Sequence, residues 1–129
     1  MCHQTVSLVA RHLELAGIPT VVIGSGRDIV EQCGVPRFLF MDFPLGNPIG
    51  RPGDPEMQKQ CLGLAFDLFE NASMPRTTVQ TPFVWSGDHG WRERYMRVDD
   101  SNREALARLG EERRNAQRMA KNDGRARSA

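Results

Sequence analysis

The chain has 129 residues, about the length of one domain, and 40% of them are hydrophobic and 26% charged. This composition excludes a disordered chain and a membrane-embedded one. The net charge of +1 excludes the strongly positive surface of a dedicated nucleic-acid binder. The charge is unevenly distributed, since residues 1–90 carry 6 basic and 9 acidic side chains, whereas residues 91–129 carry 11 basic and 7 acidic ones.

The first third of the chain alternates predicted helices and strands. Apolar positions at helical spacing predict a helix over residues 4–16, and a β-branched run predicts a strand over residues 20–23. A short helix is predicted over residues 27–33. The nearly continuous apolar run 38–43 is typical of a strand that is covered on both faces of a parallel sheet. This alternation of helices and strands predicts an α/β fold with a small, mainly parallel sheet and helices on both faces.

The rest of the chain adds a loop, a helix, a strand and a charged tail. Proline and glycine are dense in residues 44–55, which predicts a stiff surface loop. Asp54 then caps a predicted helix that reaches about residue 71. Residues 77–85 predict a third strand, placed at an edge by its proline. A basic helix is predicted over residues 102–121, and we divide the chain into an α/β domain, 1–86, and a basic helical extension, 87–129.

Three segments are expected to meet where ligands bind in open parallel sheets, beyond the carboxyl ends of the strands. They are the start of the first helix at Cys2 and His3, the turn after the first strand, and the loop after the second. The predicted substrate-binding residues are Gly24, Ser25, Gly26, Arg27, Asp42, Pro44, Gly46, Asn47 and Arg51.

Cys2 is the candidate catalytic thiol. In the first turn of a helix a thiol lies at the positive end of the helix dipole, which favours the thiolate, and His3 is the candidate proton partner. The alternative is that a cysteine on a frayed terminus does nothing. Cys33 and Cys61 are predicted to be small core residues. The three cysteines form no CxxC pair, so we expect neither a disulfide framework nor a structural metal site.

Three other features permit more than one interpretation. The Gly24-Ser25-Gly26 turn is a weak signal for phosphate binding at a helix N-terminus. The proline-rich loop either holds a binding surface or only connects two elements. The basic helix is predicted to be a solvated helix or an arm that docks a partner or a second copy, rather than a nucleic-acid contact.

Together the segments CHQTVSLVARHLELAGIPTVVIG (2–24), PLGNP (44–48) and TTVQTPF (77–83) resemble the selenoprotein B family of glycine, sarcosine and betaine reductases and D-proline reductase. The resemblance covers roughly residues 2–85. It implies a Rossmann-like three-layer α/β fold and the reductive cleavage of a carbon–nitrogen bond in an amine substrate by a selenocysteine or cysteine with a second thiol nearby.

The family pattern places a selenocysteine three residues before the cysteine that matches Cys2, whereas here only Met1 precedes it. The strand that precedes the first helix in the family is also missing. Either the chain is a shortened relative, which we favour slightly, or its start follows a misread selenocysteine codon. The resemblance makes Cys2 the second thiol of a selenenylsulfide pair, which without its partner could form a mixed disulfide with another protein.

We therefore expect a reductase-like protein with thiol-dependent chemistry on a small amine or amino-acid substrate. The alternative is a non-catalytic binding or subunit protein that keeps the fold. A cytoplasmic location, a redox protein partner and a homo-oligomer are expected, whereas a cofactor, a membrane and a nucleic-acid partner are not.

Overall fold

The computed structural model describes residues 2–87 and 90–122, with side chains up to residue 120. Two compact units make up the chain, Met1–Tyr95 and Met96–Ala129. The elements are α1 (Cys2–Leu15), β1 (Val22–Gly24), α2 (Arg27–Cys33), β2 (Arg37–Phe40), α3 (Pro55–Asn71), β3 (Thr77–Gln80), α4 (Trp91–Arg94) and α5 (Arg103–Asn122). None of the described helices is long and apolar enough to cross a membrane.

The first unit contains a three-stranded sheet in the order β1-β2-β3. Both strand pairs are parallel, with Ile23 opposite Leu39 and Leu39 opposite Val79. Parallel strands need crossover connections, and the helices α2 and α3 provide them. The prediction of an α/β fold with a small parallel sheet is confirmed.

Both faces of the sheet are covered, because successive residues of a strand point to opposite sides. One core cluster lies against α1 and α2 and contains Ala10, Val22, Val30, Val35, Phe38 and Phe40. The other lies against α3 and contains Leu39, Met41, Phe43, Cys61, Ala65 and Leu68. The unit therefore has three layers, and its central strand is buried from both sides as its apolar run predicts.

The two crossover connections lie on opposite faces, although the strands follow one another across the sheet in sequence order. The β1-α2-β2 and β2-α3-β3 units therefore have opposite hands, so one of them departs from the usual right-handed connection. A doubly wound sheet changes faces where its strand order reverses, and the described strands show no such reversal.

All three strands are shorter than predicted, and β1 forms over Val22–Gly24 where residues 20–23 were predicted. The strand predicted over residues 38–43 ends at Phe40, because the Phe43 N–H donates to the Met41 carbonyl and turns the chain. The strand predicted over residues 77–85 ends at Gln80, since Thr81 makes the last backbone bond to Phe40 and proline follows. The four-residue helix α4 was not predicted.

The two long helices downstream agree with the sequence analysis. At the start of α3 the Asp54 carboxylate accepts a hydrogen bond from the Met57 N–H at 3.0 Å, and Pro55 occupies the first turn. The basic helix α5 belongs to the second unit. Just before it, the Asp99 carboxylate accepts hydrogen bonds from the Ser101 hydroxyl and N–H, which lower the pKa of Asp99.

Candidate functional site

The side chain of His3 joins the start of α1 to the turn after β1. Its Nε2 accepts hydrogen bonds from the backbone N–H groups of Ser25, at 3.2 Å, and Gly26, at 3.1 Å. Two donors on Nε2 leave Nδ1 to carry the proton of the ring, as the hydrogen-bond network assigns it. Two of the three segments that were predicted to form the site, the start of α1 and the turn after β1, therefore lie together, and the imidazole connects them.

The glycines of this turn make room for the imidazole. A Cβ atom at Gly24 would lie 3.0 Å from His3 Cδ2, and one at Gly26 would lie 3.1 Å from His3 Cγ. Both distances are shorter than ordinary carbon–carbon contacts, so any larger residue would push the ring away. The Gly-Ser-Gly pattern is therefore explained by a protein side chain packed on the turn.

Cys2 is the first residue of α1 and is exposed. One turn further on, the Ser7 hydroxyl donates to the His3 carbonyl oxygen at 2.6 Å. Cys33 is half-buried and Cys61 is fully buried, and burial raises the pKa of the Cys61 thiol. The described thiols thus differ strongly in access to solvent, and none is in a disulfide.

Asp42 lies just beyond the end of β2, with only 9% of its surface exposed. Its carboxylate forms an ion pair with the Arg92 guanidinium of α4. Near it the Thr81 hydroxyl donates to the Met41 sulfur at 3.3 Å. The sequence analysis missed Arg92, since nothing in a charged run of the tail marks one arginine as the partner of a buried aspartate 50 residues earlier.

The predicted binding loop is held by its own backbone turn and by the start of α3. The Asn47 N–H donates to the Pro44 carbonyl, and Gly46 between them has φ 96°, as the third position of a type II turn requires. The Arg51 guanidinium bonds the Asp54 carboxylate at 3.0 Å and lies 3.5 Å from the Trp85 carbonyl. The loop is therefore ordered by local contacts, as its proline content suggests.

The remaining predicted residues have separate surroundings. The Ser25 hydroxyl oxygen is enclosed and has no hydrogen-bond partner among the described residues. The Arg27 guanidinium pairs with Glu31 at 3.0 Å and lies over the Phe40 ring. No hydrogen bond or ion pair within the described ranges joins the turn 24–27 to the loop 44–51, so their common role as walls of one pocket stays a prediction.

A different cavity lies at the opposite, amino-terminal edge of the sheet, where no site was predicted. It has a volume of about 460 Å³ and is lined by the end of α1, the start of β2 and the segment 72–76. Across 2–87 and 90–122 no group of three or more histidine, cysteine or acidic residues is arranged to hold a metal ion.

A comparison with known proteins agrees with part of the resemblance. Over 58 residues, 45% of this chain, the sequence is 41% identical to the gamma subunit of D-proline reductase from Acetoanaerobium sticklandii. The matched segment spans 24% of that relative's length. No protein-family model matches the chain, and neither does any solved structure. The similarity supports a relationship to the D-proline reductase family over that segment.

Proposed function

We propose that this chain is a reductase-family protein whose chemistry depends on the Cys2 thiol. The observation that carries the proposal is the 41% identity to the gamma subunit of D-proline reductase. The exposure of Cys2 at the first residue of α1 supports it, because a reactive thiol has to be accessible to its reaction partner.

The step assigned to Cys2 is thiol–disulfide exchange with a redox protein partner. The Cys2 thiolate attacks one sulfur of a disulfide on the partner, a new S–S bond forms between the two proteins, and the other sulfur leaves as a thiolate. The exchange needs no additional oxidant, since the electrons of the thiolate reduce the partner's disulfide. Cys61 cannot replace Cys2 in this step because it is fully buried.

His3 has one way left to assist Cys2 as its proton partner. Nε2 accepts from the N–H groups of Ser25 and Gly26 and Nδ1 carries the ring proton, so no free lone pair is left to take the thiol proton, and His3 instead donates a hydrogen bond from Nδ1–H to the Cys2 thiolate. The substrate in this proposal is a small amine or amino acid. Its pocket is formed by the turn 24–27, Asp42 and the loop residues Pro44, Gly46, Asn47 and Arg51.

The proposal also includes a Rossmann-like topology, a homo-oligomer and a cytoplasmic location. Three parallel strands with helices on both faces support the layered part of this proposal, whereas the two crossovers of opposite hand differ from the connections of a doubly wound sheet. We assign residues 1–86 to the reductase-like domain and residues 87–129 to a basic extension that docks a partner or a second copy.

Alkylation by iodoacetamide at pH 6–7, followed by peptide mass spectrometry, tests the role of Cys2. Cys2, which is exposed, should react at least about tenfold faster than the half-buried Cys33. The variant Cys2→Ser should lose the fast phase, whereas the matched variant Cys33→Ser should keep it. Equal rates at Cys2 and Cys33 would contradict the proposal.

A non-catalytic subunit is the second candidate function. It is favoured by the name of the relative, which is one subunit of a reductase, and by the 24% of its length that is matched. Trapping with a disulfide-bearing redox protein separates the two. A mixed disulfide that forms with the native chain and not with Cys2→Ser supports the thiol function, whereas association that survives Cys2→Ser supports the subunit role.

A further inference from the structure

The cavity at the amino-terminal edge of the sheet is positively charged and combines arginines with apolar walls. Three arginines line it, Arg11, Arg37 and Arg76, against the single carboxylate of Glu14. The apolar lining includes Leu15 and Met74, which are 87% and 71% exposed, so this side of the cavity is open to solvent. Its volume of about 460 Å³ lies within the usual range of ligand pockets, roughly 300–1,000 Å³.

Arg37 is the innermost of the three arginines and has unused donors. Its Nη1 donates to the Glu14 carboxylate at 2.8 Å and approaches the Thr20 carbonyl at 3.4 Å. Its Nε is enclosed without an acceptor, and Nη2 makes none of the described hydrogen bonds. Because Nε is enclosed, the donors of Arg37 that are left for a ligand are the N–H groups of Nη2.

Arg11 and Arg76 are held at the mouth of the cavity by the end of α2. Arg11 donates to the Cys33 carbonyl at 3.0 Å, and Arg76 donates to the Glu31 carbonyl at 3.1 Å. Each uses one of its five donors in this way, so both can offer further N–H groups. Because Glu14 offsets only Arg37, these two arginines give the cavity its excess positive charge.

Arg76 has an unusual backbone conformation and packs on a glycine. Arg76 has φ 61°, which is rare for residues other than glycine, and Gly34 beneath it has φ 73°. A Cβ atom at Gly34 would lie 3.3 Å from Arg76 Nη2, so the guanidinium rests on the bare glycine backbone. Gly34 takes this conformation as the left-handed cap that ends α2, and its missing side chain leaves room for the guanidinium of Arg76.

We propose that this cavity binds a small organic carboxylate, whose oxygens meet Arg37 and Arg11 and whose apolar body lies against Leu15 and Met74. An organic anion fits better than a bare inorganic one, because the cavity is several times larger than a single oxyanion and has apolar walls. The site is independent of Cys2 and of the carboxyl edge of the sheet.

Titration of the full chain with hexanoate, followed by the amide resonances of Gly34 and Arg76, tests the proposal. Hexanamide has the same apolar chain without the charge, and inorganic phosphate has the charge without the apolar chain. Hexanoate should give saturable shifts. It should bind at least about tenfold more tightly than hexanamide, the loss expected for one charge-assisted hydrogen bond, and at least about tenfold more tightly than phosphate, which buries no apolar chain. No saturable shift with hexanoate, or equal binding of any two probes, overturns the proposal.

Three variants locate the binding. Arg11→Gln should weaken hexanoate binding about tenfold, whereas Arg108→Gln, which removes the same charge from α5, should leave it unchanged. Glu14→Gln should tighten binding roughly fivefold, because a like charge next to the ligand is removed. A purely structural arginine cluster would not give that gain. Equal affinities of the native chain, Arg11→Gln and Glu14→Gln would place the ligand elsewhere and refute the assignment.

Discussion

His3 Nε2 lies 3.1 Å from the backbone nitrogen of Gly26 and accepts its hydrogen bond. This contact links the residue after Cys2 to the turn at the carboxyl end of β1, 23 positions along the chain. It fixes where α1 begins relative to the sheet. The position of the candidate thiol is therefore set by a neighbouring imidazole.

His3→Ala should lower the free energy of unfolding by about 1–2 kcal/mol, because the Ser25 and Gly26 N–H groups lose their acceptor. Gly24→Ala should also destabilise, since its new Cβ would collide with the imidazole. In the double variant the collision disappears, so its cost should be less than the sum of the two single costs. Urea unfolding measures all three, and His12→Ala, an exposed histidine of the same helix, is the control. Strictly additive costs would mean that ring and glycine do not meet.

The ion pair between Glu14 and Arg37 makes the free energy of unfolding depend on pH. Partial burial alone would raise the pKa of Glu14, but the Arg37 guanidinium, with the Thr20 N–H and hydroxyl, holds it below its ordinary value of 4.5. A carboxyl whose pKa is lowered by folding stabilises the protein above the unfolded pKa, and this stabilisation is lost as the pH falls through the folded pKa.

Glu14→Gln should therefore destabilise the chain at pH 7 and lose that effect progressively as the pH falls below the ordinary glutamate pKa of 4.5 and through the lower pKa of the folded state. Thermal unfolding of the native chain and the variant across pH 3–7 measures the difference. Glu70→Gln, which replaces an exposed glutamate of α3, is the control and should show little effect at any pH. A cost of Glu14→Gln that stays constant from pH 7 to pH 3 would contradict the assignment.

The two partners of the Asp42–Arg92 ion pair should respond unequally to substitution. Asp42 is 9% exposed, whereas the Arg92 side chain is 54% exposed. Arg92→Gln should cost about 1–3 kcal/mol, because the buried Asp42 carboxylate loses the cation that Arg92 supplies, whereas Asp42→Ala should cost less, because it leaves an arginine that water can solvate. Denaturant unfolding, with one m value shared by all variants, gives the two changes in the free energy of unfolding. Lys59→Gln, which replaces an exposed lysine of α3, is the control. Equal costs would mean that the carboxylate is not buried in solution.

The central strand should be the most sensitive part of the first unit to loss of side-chain volume. Leu39 is 0% exposed in the core against α3, whereas Leu15 at the end of α1 is 87% exposed. Leu39→Ala should lower the free energy of unfolding by about 3 kcal/mol, and Leu15→Ala should change it by less than about 0.5 kcal/mol. A cost below about 1 kcal/mol for Leu39→Ala would argue against a strand buried on both faces.

Local patterns predicted the elements whose ends are written in neighbouring residues. The short helix α2 has its predicted bounds because Gly26 and Gly34 flank it, and the start of α3 follows from Asp54 and its proline. The ends of β2 and β3 were placed too late. A strand ends where its partner leaves or where the backbone turns, and neither event is visible in one strand's own residues.

The sequence by itself determined the α/β class, the doubly covered central strand and the position of Cys2 at a helix start, because periodicity and capping are local properties. Only the tertiary structure decided that His3 packs on the glycine turn, that Asp42 meets Arg92, and that three arginines surround a cavity at the amino-terminal edge. These relationships join residues from 22 to 65 positions apart, whose spacing carries no period. They exist only because the sheet brings the ends of separate elements together, at its carboxyl edge in the first two cases and at its amino-terminal edge in the third.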